Sequence, residues 1–158
     1  MIQCTFTLNN EPMSFIKGPG FQYRAYSGES THRNKPGYMC TPMLGAIPLG
    51  RYAIVDRESG GLRSKVMDAL KSARSLSNRF DWLALYALDG KIDDEMFCNG
   101  IRRGEFRIHS GGLSGTSYGC VTLPNTIDFY SLRNRIRARK FVIPSTGFQA
   151  YGVLNVVK

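Results

Sequence analysis

The sequence predicts a mostly β fold with peripheral helices, of the α+β class, in one domain over residues 1–158. Three observations carry this reading: short apolar and β-branched runs recur along the chain, turn dipeptides separate them, and only two stretches show helical periodicity. Residues 2–8 and 12–17 flank Asn9-Asn10-Glu11 and read as an opening hairpin, and Phe21 to Ser27 continues in the same style. From Gly28 to Met43 the chain is polar and broken by Pro36, Gly37 and Pro42, the composition of a long surface loop that carries binding residues. A strand follows at Arg51 to Asp56. Leu62, Val66, Met67, Ala69, Leu70, Ala73 and Leu76 then recur at helical spacing and predict the first helix.

Residues 80–88 form an aromatic and apolar strand that stops at Asp89-Gly90, and a second turn at Asn99-Gly100 precedes a strand from Glu105 to His109. Ile127, Tyr130, Leu132 and Ile136 mark the second helix, with Asn125 or Thr126 as its cap and Asp128 in its first turn. The tail from Gln149 to Val157 reads as a closing strand.

With 158 residues and 42% hydrophobic side chains, the chain can bury a sizeable core. No apolar run approaches the roughly 20 residues a spanning helix needs, so no membrane span is expected. The start, Met1 to Leu8, lacks the basic, apolar and small-residue segments of a signal peptide, and predicts synthesis in the cytoplasm. The net charge of +9 suits an anionic partner: nucleic acid, an acidic wall polymer or a carboxylate-rich substrate. Arg133, Arg135, Arg137, Arg139, Lys140 and Lys158 meet no acidic residue after Asp128 in the sequence. Four cysteines without a CxxC pair, and two histidines, argue against a metal site, and no cofactor is expected. A disulfide among Cys4, Cys40 and Cys98 is permitted, but spacing does not choose the pair.

His109 and Cys120 are separated by ten residues, eight of them glycine, serine or threonine. A loop with such small side chains can fold back and bring the two together, with Gly119 free to take a conformation that other residues resist. A neighbouring imidazole activates a thiol as a nucleophile. The backbone N–H groups at Gly119 and Cys120, and Tyr118 as a further donor, are candidates for an oxyanion hole.

The segment Ile108-His109-Ser110-Gly111-Gly112, followed by Ser117-Tyr118-Gly119-Cys120-Val121, resembles the signature of YkuD-type L,D-transpeptidases. It is closer to the compact branch among type VI secretion effectors. That branch is also matched by Tyr26-Ser27-Gly28 with Asn34 and Pro36, and by Pro48-Leu49-Gly50-Arg51-Tyr52. The resemblance implies an L,D-transpeptidase-like β-sandwich or barrel in which Cys120 is the nucleophile and His109 the base. Substrates would be the tetrapeptide stems of peptidoglycan, whose terminal D-alanine is released by water or exchanged for another D-amino acid. Ser117, Ser27 and Asn34 would line the cleft. Tyr118 stands where housekeeping enzymes carry histidine, and Thr122 where they carry asparagine or arginine, so Arg33, Arg103 and Arg107 are the candidates to grip the substrate carboxylate. The same resemblance implies a cognate immunity protein, contacts with the secretion apparatus, and delivery into the periplasm of a target bacterium. Two rivals stay open: another Cys-His amidase or endopeptidase of the wall, and a non-catalytic basic module that binds nucleic acid through Arg133 to Lys140.

Overall fold

The chain crosses itself between its two ends: the last strand lies in the middle of the sheet, parallel to the first. The computed structural model describes residues 1–57, 78–112, 117–144 and 146–158. Its strands are β1 (Ile2–Thr7), β2 (Ser14–Gly18), β3 (Phe21–Ala25), β4 (Gly50–Asp56), β5 (Leu83–Ala87), β6 (Glu95–Cys98), β7 (Ile101–Gly104), β8 (Arg107–Ser110), β9 (Val121–Leu123), β10 (Phe141–Val142), β11 (Gln149–Ala150) and β12 (Gly152–Val157). One helix, α1 (Thr126–Arg137), is described. The expected helix over Leu62 to Leu76 lies outside the described residues.

Eight strands form one sheet in the order β3-β2-β1-β12-β4-β5-β8-β9. Its two edges then meet. Tyr26, just past β3, and Thr122 on β9 exchange backbone hydrogen bonds of 2.9 and 2.8 Å, so the sheet is nearly closed into a barrel. The two short hairpins β6-β7 and β10-β11 stand beside it. The mostly β fold with a barrel-like sheet is therefore as the sequence predicts.

Alternation along the strands sends Phe6, Ile16, Tyr52, Ile54, Leu83, Leu85, Ile108, Val121, Leu123 and Leu154 into one core. Burying each of these large side chains contributes about 1.5–3 kcal/mol. Asn125 caps α1, its side chain accepting from the N–H groups of Ile127 and Asp128, and the helix packs Phe129, Leu132 and Ile136 into the same core. The basic surface of α1 is not unopposed, as the sequence order had implied. Arg133 pairs with Asp81, and Arg137 and Lys140 reach Asp56, acids that precede the helix by many residues.

A disulfide joins Cys40 to Cys98, with Cα atoms 5.2 Å apart, and ties the long loop to the hairpin β6-β7. Cys4 and Cys120 keep free thiols.

Candidate active site

β8 and β9 run parallel, with Ile108 opposite Val121, His109 opposite Thr122 and Ser110 opposite Leu123. Since Ile108, Val121 and Leu123 face the core, His109 and Thr122 share the other face. Cys120 immediately precedes β9, where the Arg107 N–H reaches its sulfur, two residues before His109. Thus the loop between His109 and Cys120 does return the chain to its starting strand, although residues 113–116 within it lie outside the described residues.

His109 is 6% exposed. Its Nδ1 lies 2.8 Å from the carbonyl oxygen of Ser110, which can only accept, so Nδ1 carries the proton and Nε2 keeps its lone pair. Nε2 in turn lies 3.4 Å from the Thr122 hydroxyl, which donates to it. The Trp82 indole stacks on the imidazole, with ring centroids 4.3 Å apart and planes 20° from parallel. Burial lowers the His109 pKa to about 4, helped by the nearby Arg79 charge and opposed by the Ser110 carbonyl. The ring is neutral at pH 7.

Cys120 is half-buried. Burial around its sulfur pushes the thiol up to about 11, against the pull of the Arg107 N–H and guanidinium, while Asp94 and Glu105 add to the rise. Among the described residues, its hydrogen-bond acceptor is the Glu105 carbonyl at 3.9 Å, and not His109. Among the described residues, no hydrogen bond joins the thiol to the imidazole.

Gly119 takes φ +100°, and a Cβ there would stand 2.6 Å from the Arg103 guanidinium and 2.8 Å from the Phe106 ring. Glycine is required at this position on both counts. The N–H groups of Gly119 and Cys120 donate to no described residue. The Tyr118 side chain points to solvent, 55% exposed.

Ser27, Asn34 and Ser117 are buried and serve as internal ties. Ser27 Oγ donates to the Gly119 carbonyl at 3.0 Å and accepts from the Ile47 N–H at 2.8 Å. Asn34 clasps the Ser27 backbone from both sides, with its own N–H donating to the Ser27 carbonyl and its Oδ1 accepting from the Ser27 N–H. Ser117 Oγ donates to the Cys120 carbonyl at 2.7 Å and accepts from the Gly28 N–H at 3.3 Å. Glu29, which sequence reasoning passed over, accepts from the Ser117 N–H at 2.9 Å. The segment Tyr26 to Glu29 and the segment Ser117 to Cys120 are thus one interlocked unit.

All three arginines proposed to hold a carboxylate have partners within the protein. Arg107 makes a bidentate pair with Asp94 at 2.6 and 2.5 Å. Arg103 donates to the carbonyls of Met39 and Gly45, bracing the long loop beside Gly119. Arg33 lies 3.9 Å over the Tyr26 ring, at the seam where the barrel closes.

A barrel-like β fold, with His109 on β8 and Cys120 just before the parallel strand β9, defines the class: a mostly β protein whose candidate site holds a histidine and a cysteine. A model of the Tlde1 domain matches residues 22–146, and the chain belongs to that family of L,D-transpeptidase-like enzymatic effectors of type VI secretion. Its members are antibacterial, act on peptidoglycan and are delivered to target cells. No curated protein and no solved structure matches the chain.

Proposed function

We propose that this protein is a cysteine-dependent acyl-transfer enzyme that acts on peptidoglycan tetrapeptide stems, as an L,D-carboxypeptidase, an L,D-transpeptidase that exchanges D-amino acids, or both. The observation that supports it most is the tautomer of His109: the proton is held on Nδ1 by Ser110, which leaves Nε2 basic on the β9 side, beside the Thr122 hydroxyl and two residues from Cys120 in the chain. A base in this state takes the thiol proton as sulfur attacks. With the thiol raised to about 11 and the imidazole lowered to about 4, the free pair rests neutral, and the proton moves during attack.

In this reading Cys120 Sγ attacks the carbonyl of the third stem residue, and Nε2 of His109 takes the thiol proton. The N–H groups of Gly119 and Cys120 receive the oxyanion. Collapse breaks the amide bond, His109 returns the proton to the leaving amine of D-alanine, and a thioester remains on Cys120. Water then yields the trimmed tripeptide, and the amine of a second D-amino acid yields the exchanged stem. Arg33, Arg103 and Arg107 are the candidates for the stem carboxylate. Target-cell periplasm is the compartment where this substrate is exposed, and an immunity protein in the producing cell is the partner the reading requires. The nucleic-acid rival is weakened by the acids already paired with Arg133 and Arg137.

The test is mass spectrometry of purified tetrapeptide stems after incubation with the protein, with and without D-methionine. Loss of D-alanine, and its replacement by D-methionine, are the expected products, both absent with Cys120→Ser. Cleavage at another bond would instead favour a wall amidase or endopeptidase.

A further inference from the structure

We propose that Trp82 is a positioning residue for His109: its indole fixes the plane of the imidazole and shields that face from water, so that Nε2 stays directed at the β9 side of the site. The inference rests on the reading of His109 as the base. Trp82 follows a short turn, Arg79–Asp81, and leads into β5. The register of β5 with β8, Leu83 opposite Ile108, sets Trp82 and His109 as neighbours on the outer face. That placement accounts for the stacking at 4.3 Å and 20°, an offset arrangement favoured by the charge distribution of the rings.

Two of the ring's constraints act on different freedoms. The Ser110 carbonyl and Thr122 hydroxyl hold the nitrogens in the ring plane, while neither prevents the plane from tilting. The indole does. Arg79 and Arg57 lie over the same indole, at 4.9 and 5.9 Å, so cationic charge gathers where a protonated imidazole would add another. Among the described residues, the other charged or titratable groups nearby are Arg107, paired with Asp94, Asp81, paired with Arg133, and Cys120 just before β9. The Arg79 charge favours the neutral ring.

The decisive experiment titrates His109 by NMR in Cys120→Ser protein, where His32 is the only other histidine, and measures kcat and KM for stem turnover with Cys120 present. Trp82→Leu keeps an apolar side chain but no plane. It should raise the His109 midpoint by one to two units, move the acid limb of the rate profile by the same amount, and lower kcat about ten- to a hundredfold with KM within about twofold. Trp82→Phe, which restores a flat ring, should recover most of both. A folded Trp82→Leu protein with an unmoved midpoint and kcat overturns the proposal. If that variant does not fold, Trp82→Met decides by the same readouts: a raised midpoint with a lowered kcat supports the proposal, and unchanged values overturn it. Failure of the wild-type protein to release D-alanine would sink the stem-peptide reading alone, since the titration is read without substrate.

Discussion

Replacing His109 with glutamine should make the protein less sensitive to mild acid, and the size of the change follows from the burial of the ring. The folded-state pKa is about 4 and the unfolded reference is 6.5. The folded value is the lower one, so between them the unfolded chain binds more protons and stability rises with pH. Read downward, stability is fully present above about 6.5 and is lost as pH falls toward 4. The whole shift is worth about 3 kcal/mol, and about 2 kcal/mol of it lies between pH 7 and pH 5. At a slope of roughly 2 kcal/mol per molar urea, that is a fall of about 1 M in the unfolding midpoint. Urea titrations followed by circular dichroism at the two pH values, on wild type and His109→Gln, isolate this group because carboxylates titrate alike in both. The wild type should lose about 1 M more than the variant. Equal losses in the two proteins would refute the claim that a neutral His109 is held in the fold.

Three further outcomes are expected. Iodoacetamide should modify Cys120 before Cys4, since both thiols are raised by burial but only Cys120 is partly open; the rate should climb steeply above pH 9, and mass mapping that found Cys4 first would contradict this. Cys98→Ser should cost about 4 kcal/mol by opening a cross-link that spans 58 residues, read as a drop in melting temperature that dithiothreitol reproduces in the wild type. Ser27→Ala should cost about 1–3 kcal/mol, because the Gly119 carbonyl and the Ile47 N–H both lose a buried partner; a melt unchanged from wild type would show that the tie is dispensable.

Local chemistry was legible in the sequence and distant pairing was not. Asn99-Gly100 predicts a tight hairpin, and both residues take the positive φ such a turn needs, 50° and 76°. Asn125 ahead of an apolar repeat predicts a cap, and its side chain accepts two backbone N–H groups. The tail reads as a strand from its valines, yet no local pattern says that it pairs in parallel with β1, about 150 residues away in the chain. Ser27 and Asn34 were legible as cleft residues through the family resemblance. Their other partners, the Gly119 and Glu11 carbonyls, come from segments brought close only by folding. Trp82 escaped for the same reason: an aromatic residue before a strand carries no mark of the histidine 27 positions later that it will cover.

The order of those ties also explains how so short a site can be exact in shape. The nucleophile candidate follows a glycine in the left-handed region, a local conformation that glycine adopts readily but does not enforce by itself. Its definition comes from outside: Ser27 holds the carbonyl before Cys120, Ser117 holds the carbonyl of Cys120 itself, and Glu29 holds the Ser117 amide. Arg103 then fills the space where any Cβ on residue 119 would stand, anchored by the loop that the Cys40–Cys98 disulfide ties to β6-β7. Ser27, Ser117 and Arg103 are buried polar groups with partners, so removing one leaves another unsatisfied and the cost falls on the backbone around Cys120. Among the described residues the amides of Gly119 and Cys120 have no acceptor, and they sit inside this frame. A frame that fixes the peptide on both sides of two such donors is the arrangement the proposed oxyanion site calls for.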